Sequence, residues 1–478
     1  MDFGYLKLYI GGQLVDAKNG GKQTIICPAD EKQIAEVAWA DEEDAQIALE
    51  AAQQGFNYWS SLDLEQRALW MAKLRTAILE KETVLREAII HEMGKTYEGS
   101  FEDIEAITNA LEFYPKAMSE IKDEPINDLE NTHRHMMVHQ AAGVAVAYLA
   151  WNFPLLNVGF KIGPALASGC SLIIKPSELS PVSTYLLGTI LEDINFPAGV
   201  INILTGPPEK VAAKMTKSDI PSVITMIGST QTGKKVIADS SSTIKKLSME
   251  LGGNAPFIVF DDANMEAALD LAVGIKFGNC GQICVAANRF FIHEKIYDEF
   301  LSAYIARVNK LKLGFGKDSN GDMGPLVSRD AQLRMIKIVD DATSKGAKIE
   351  TGGKIPEAFD KGYWFEPTVL SNVTTEMMAY QQETFGPIAP IFKFKTEEEV
   401  LALANDTEYG LASYLFTDDP ERQARFANAL AFGEVQINGV KYAIYLPHGG
   451  IKNSGIGHDC SALALEDYLI KKRVTTTV

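Results

Sequence analysis

The spacing of apolar positions changes near residue 133. From residue 41 to about residue 122 the chain reads as mostly helical. Leu69, Trp70, Leu74, Ala77 and Ile78 recur at the interval of one helix face. Asp41 precedes the alanine-rich run 44–54 and is expected to cap it, because a carboxylate there accepts N–H groups that the first turn leaves free. At His133 the pattern becomes extended, through His135, Met137 and His139 and then residues 142–149. After Asn152, short apolar runs alternate with helical ones. The spacing predicts strands at 172–174, 200–204 and 223–227, with helices at 182–194 and 209–217 between them. Such alternation predicts parallel β–α–β units in a doubly wound sheet. It restarts with an apolar run at 256–260 and a helical run at 264–277, so a second α/β unit is expected from near residue 250. The Val- and Thr-rich end, 469–478, predicts a strand that pairs with another element or subunit.

A chain of 478 residues is long enough for about two to four folding units. Its 46% hydrophobic and 23% charged residues suit a globular protein with a large core. The net charge of -18 argues against nucleic acid and against an anionic membrane surface, since both are bound by clustered Lys and Arg. The longest apolar stretch, 141–151, is shorter than the roughly 18 residues of a membrane span. The N-terminus lacks a basic region followed by an apolar run, so no signal peptide is expected. Five cysteines, an odd number, do not form a disulfide framework, and a cytoplasmic setting is expected.

Six short segments carry candidate chemistry. In Gly278-Asn279-Cys280-Gly281-Gln282-Ile283-Cys284, a cysteine follows a glycine turn, and a thiolate there would be a strong nucleophile. Glu250 precedes Gly252 and Gly253, which give a general base backbone freedom beside a ligand. Asn152, after Trp151 at the end of an apolar strand, offers an amide to a developing oxyanion. The run 228–235 nearly matches a triphosphatase phosphate loop, but Lys235 stands where Ser or Thr would hold magnesium. The same turn, with Gly228 and Ser229, suits a pyrophosphate at a helix N-terminus. Lys175, Ser177 and Glu178 follow a strand, where a Lys and a Glu can grip ribose hydroxyls. Glu383 and Phe385 form an acidic and aromatic pair before a turn.

In this order, from Tyr9-Ile10-Gly11-Gly12 to Ser454-Gly455-Ile456-Gly457, these segments resemble the aldehyde dehydrogenase superfamily over nearly the whole chain. The resemblance implies an α/β fold with a Rossmann-like cofactor domain (1–122 and 142–249), an α/β catalytic domain (250–440), a small β oligomerisation hairpin (123–141 and 463–478) and a substrate-entrance loop and tail (441–462). It also implies a homodimer or homotetramer. Cys284 would attack the aldehyde, Asn152 and the Cys284 N–H would hold the oxyanion, and Glu250 would activate water. Lys161, with Asp459, would serve proton relay. Lys175, Ser177, Glu178, Gly228, Ser229, Glu383, Phe385 and Trp151 would bind the dinucleotide. No metal is expected. Two positions depart from the usual family pattern, Ala150 in place of Pro and Ile227 in place of Thr. Glu178 would repel a 2′-phosphate, which favours NAD and leaves NADP possible.

The chain is similar to the succinate semialdehyde and lactaldehyde dehydrogenase branches. Phe160 and Gly278 occupy positions where succinate semialdehyde enzymes usually carry carboxylate-gripping arginines. That favours a small polar aldehyde such as lactaldehyde or glycolaldehyde over succinate semialdehyde or another short anionic aldehyde, sulfolactaldehyde included. Lys441 and His448 lie in the entrance loop, the first a solvated lysine or an anion contact, the second a loop-packing residue or a partner for a substrate hydroxyl. Intact Cys284, Glu250 and Asn152 argue against a non-catalytic family member, and Glu250 favours water over coenzyme A as the acyl acceptor.

Overall fold

The computed structural model describes residues 1–317 and 319–478. Two large sheets dominate the described residues. The first has eight strands in the order Gly455–Ile456, Lys246–Glu250, Pro221–Ile227, Val144–Tyr148, Ser171–Lys175, Ile201–Ile203, Leu8–Ile10 and Gln13–Val15. The five strands from Lys246–Glu250 to Ile201–Ile203 run parallel. The second has seven strands, from Lys348–Thr351 at one edge to Glu434–Ile437 at the other, with Ala287–His293 and Ala255–Val259 central.

Burial explains the strands. Val144–Tyr148, Ser171–Lys175, Ala255–Val259 and Ala412–Phe416 are buried at every position, as parallel strands covered by helices on both faces must be. The sequence-predicted helices form at Glu42–Trp59, Val182–Asp193, Val211–Lys217 and Met265–Phe277. Asp41 accepts from the backbone N–H groups of Glu43 and Asp44 and completes a capping box. The face expected of the next helix, Leu64–Glu80, needs one correction. Leu69 is 68% exposed, and the buried positions are Arg67, Met71, Leu74, Ala77 and Ile78. At 100° per residue Leu69 points away from the row 67, 71, 74 and 78.

The end of the chain, Leu469–Thr477, pairs antiparallel with His133–Ala141, which also pairs with Glu124–Ile126. This three-stranded sheet is mostly exposed. Among the described residues, no helix is long and apolar enough to cross a membrane.

Topology delivers the site. In the first sheet Tyr148, Ile227 and Glu250 close three neighbouring parallel strands at the same edge. The turns that follow carry Asn152, Ser229 and the Gly252-Gly253 pair to one side of the sheet, the side on which open α/β sheets place ligands. The helix Pro154–Ser168 starts just beyond Asn152, with proline at its first position. Its free N–H groups are met from another helix: Asp103 accepts from both Leu155 and Leu156 at 3.0 Å. Asp103 in turn binds Lys95 at 2.7 Å, with both side chains buried.

Candidate active site

Cys284 follows an unusual turn. Asn279, Cys280 and Gly281 all have positive φ, at 46°, 59° and 71°. A side chain on Gly281 would meet the Gly386 carbonyl at 2.3 Å, so glycine is required there. The turn directs Cys284 toward the end of the first sheet. There Gly253 passes so close that an added Cβ would lie 2.4 Å from the Cys284 carbonyl oxygen. This contact sets the Glu250 segment against the cysteine loop. Glu250 is buried, and its Oε1 has no hydrogen-bond partner. Asn152 Nδ2 donates to the Gln282 carbonyl at 3.1 Å, which fixes the amide beside Cys284. Asn279 Nδ2 donates to the Asn152 carbonyl, also at 3.1 Å.

His448 completes the cluster. Its Nδ1 lies 2.6 Å from Glu434 Oε1 and its Nε2 lies 3.5 Å from Glu250 Oε1. One donor atom each from Glu250, Cys284 and His448 lies within 4.8 Å of the others. Both ring nitrogens face carboxylates of the protein, and the ring also lines the cavity that these groups face. Burial would lower the imidazole pKa, but Cys284, Glu250 and Glu434 outweigh it and hold the ring well above its ordinary range. Burial pushes the Cys284 thiol up to about 12, with the Glu250 charge adding to the rise and His448 opposing it.

These groups face a cavity of about 1380 Å³, lined at depth by Asn152, Glu250, Cys284 and His448. Phe160 and Gly278 line it too, and the Phe160 ring lies 6.1 Å from that of His448. Lys441 sits at its exposed rim, over the Tyr445 ring at 5.6 Å. Lys161 stands behind the wall, buried against Asp459, whose backbone bridges to His448.

The expected dinucleotide contacts group at the neighbouring sheet edge. Lys175 and Glu178 pair with each other after Ser171–Lys175, and Ser177 caps the Leu179 N–H at 3.2 Å. Gly228 and Ser229 form the turn into Thr230–Asp239, where Ser229 caps the Thr232 N–H at 3.2 Å. Glu383 Oε1 accepts from the Gly253 N–H at 2.8 Å, and burial raises this carboxyl to about 7. Trp151 and Phe385 meet edge to face at 5.4 Å, with Phe385 held at a positive φ of 49°.

Residues 14–474 match the aldehyde dehydrogenase family. The chain belongs to that family. It is 36% identical over 472 residues to 3,6-anhydro-alpha-L-galactose dehydrogenase of Vibrio sp. (strain EJY3), covering 98% of each chain. It is 37% identical to the mitochondrial succinate-semialdehyde dehydrogenase of Oryza sativa subsp. japonica, covering 97% of this chain and 88% of that one. The betaine aldehyde dehydrogenase of Staphylococcus aureus in complex with NAD+ superposes with a TM-score of 0.96 at 35% identity, over 99% of this chain and 95% of that one.

Within this aldehyde dehydrogenase, the sequence singled out Cys284, Glu250 and Asn152, and the fold brings them together. It passed over Glu434 and Tyr442. Glu434 opens the strand Glu434–Ile437, and nothing in its local pattern marks it. The Tyr442 hydroxyl lies 3.0 Å from that of Tyr414, which donates to the Val285 carbonyl at 2.7 Å, so the loop 441–462 is tied to the cysteine segment.

Proposed function

We propose that this aldehyde dehydrogenase oxidises a small polar aldehyde to its carboxylic acid with NAD(P), through a thioester on Cys284. The carrying observation is the convergence of Cys284, Glu250 and Asn152 at the base of one cavity. The chemistry a bound dinucleotide supplies is acceptance of the hydride. The cradle suits one: Gly228 and Ser229 turn into a helix, and Lys175 and Glu178 stand at the adjoining strand end. Glu178 beside Lys175 favours ribose hydroxyls over a 2′-phosphate, and so NAD over NADP.

The chain's own residues would act in two stages. Cys284 Sγ bonds to the carbonyl carbon while Asn152 Nδ2 and the Cys284 N–H receive the oxyanion. Glu250 then takes a proton from the water that hydrolyses the thioester. Lys161 and Asp459 would hold the wall behind His448 and could pass protons along it. We infer that the eight-stranded sheet seats the dinucleotide and that the segments 123–141 and 463–478, with the three-stranded sheet they contain, join subunits in a homodimer or homotetramer.

The cavity wall bears on the substrate. Neither Phe160 nor Gly278 can pair with a carboxylate. Lys95 is already bound to Asp103, and Lys116 to Glu112. Carboxylates at Glu102, Glu105 and Asp270 add negative charge, which disfavours an anionic aldehyde. A short anionic substrate, succinate semialdehyde or sulfolactaldehyde, is the second reading, favoured by the succinate-semialdehyde relative and by Lys441 at the rim. The test is reduced-cofactor formation from lactaldehyde, glycolaldehyde, succinate semialdehyde and sulfolactaldehyde, each with NAD and NADP. A higher kcat/KM for the neutral pair with NAD is expected. A preference for the anionic pair would overturn the substrate reading and point to Lys441.

A further inference from the structure

We propose that His448, held by Glu434, is the fixed cationic partner of the Cys284 thiolate. The inference rests on the nucleophilic role of Cys284 given above. Three observations carry it. His448 is buried, and its Nε2 side shares a space with Cys284 Sγ and Glu250, one donor atom of each within 4.8 Å of the others. Its opposite nitrogen is anchored at 2.6 Å by Glu434, whose second oxygen is buried without a partner. Among the described residues, no Lys or Arg makes a salt bridge with Glu250 or Glu434, and His448 is the base that meets both.

The other groups around the ring do not replace it. The Tyr442 ring meets the imidazole edge to face at 6.2 Å, Phe160 is uncharged, and the Tyr414 hydroxyl is spent on Val285. Cys460 and Asp459 follow in the adjoining loop, and Asp459 is neutralised by Lys161. A thiolate formed beside Glu250 without a cation would place two negative charges in one dry pocket, at a cost neither hydration nor hydrogen bonds would offset. With the imidazolium present, charge is conserved. The Cys284 S–H bond breaks, its proton passes through Glu250 Oε1 to solvent, which leaves Glu250 ionised for the hydrolytic stage, and the thiolate remains beside His448. The sulfur pair then bonds to the aldehyde carbon as the carbonyl π pair moves to oxygen. The arrangement follows the logic of a nucleophile, an imidazole and an orienting carboxylate. Glu434 is a positioning residue, since it acts through the ring.

The experiment is the pH dependence of Cys284 alkylation by iodoacetamide, with the modified peptide assigned by mass. The other four cysteines are buried. Wild type is compared with His448→Gln and Glu434→Gln, each checked for its circular dichroism and for NAD binding. Loss of the imidazolium should move the alkylation midpoint upward by at least about one unit, a roughly tenfold slower reaction at neutral pH. Glu434→Gln should shift it the same way, and it keeps the test available if His448→Gln does not fold. Superimposable profiles in a folded variant would overturn the proposal. Failure of the underlying reading looks different: a Cys284→Ser protein that still oxidises aldehyde removes the nucleophile itself, whatever the alkylation profiles show.

Discussion

Gly253 and Gly281 do more for the site than their size suggests. Each lets one backbone pass against another, Gly253 against Cys284 and Gly281 against Gly386, where a Cβ would be 2.4 Å or less from a carbonyl oxygen. Lys276 shows the opposite economy, a charge placed where water cannot follow. It is fully buried, its Nζ is 3.1 Å from Asn288 Oδ1, and burial drives its amine down to about 7. The unfolded chain therefore holds a proton on Lys276 between about pH 7 and pH 10 that the native state has given up. Stability from this group rises with pH across that window. Lys276→Met removes the dependence. Urea midpoints at pH 6.5 and 9.5 should show wild type gaining on the variant as pH rises, and an unchanged difference would contradict the assignment. Cys284, Glu250 and Asn152 were legible because each lies in a short motif with glycine or a strand end beside it. Glu434 was not, because its meaning comes from His448, and that of His448 from Cys284 and Glu250 far back in the chain.

Helix ends position much of the site. The helix Pro154–Ser168 carries Phe160 into the cavity and Lys161 behind it, and its first turn is held by Asp103 from the helix Phe101–Glu120. Asp103→Ala would free two N–H groups and strand Lys95 beneath the Phe153 ring, which it approaches at 3.7 Å. Breaking a buried ion pair from one side costs about 3–5 kcal/mol. Chemical unfolding of the variant should show a loss of that size, and a change within about 0.5 kcal/mol, typical of a surface substitution, would contradict it. Local caps such as Asp41 were readable from their own segment. Asp103 was not, since it caps a helix more than fifty residues later, and only packing reveals the match.

At the scale of the whole molecule, the two sheets divide the labour of the site. Glu250 and Asn152 arrive from the eight-stranded sheet, Cys284 from the segment before Ala287–His293 in the seven-stranded one, and His448 from the loop 441–462. The alternation of apolar runs was enough to foresee parallel α/β units and a restart near residue 250. It was not enough to foresee that Gly455–Ile456 returns to pair with Lys246–Glu250, because two residues carry no period. That late strand pairs Gly455 directly with Glu250 and brings the loop 441–462 back to the end of that strand. The central claim is that this assembly exists to present one nucleophile. Its most direct test is Cys284→Ser, with NAD binding and reduced-cofactor formation measured on the same preparation across the aldehyde panel. The account predicts that binding is retained and oxidation falls by at least about a thousandfold. Undiminished oxidation in a protein that still binds NAD would contradict it.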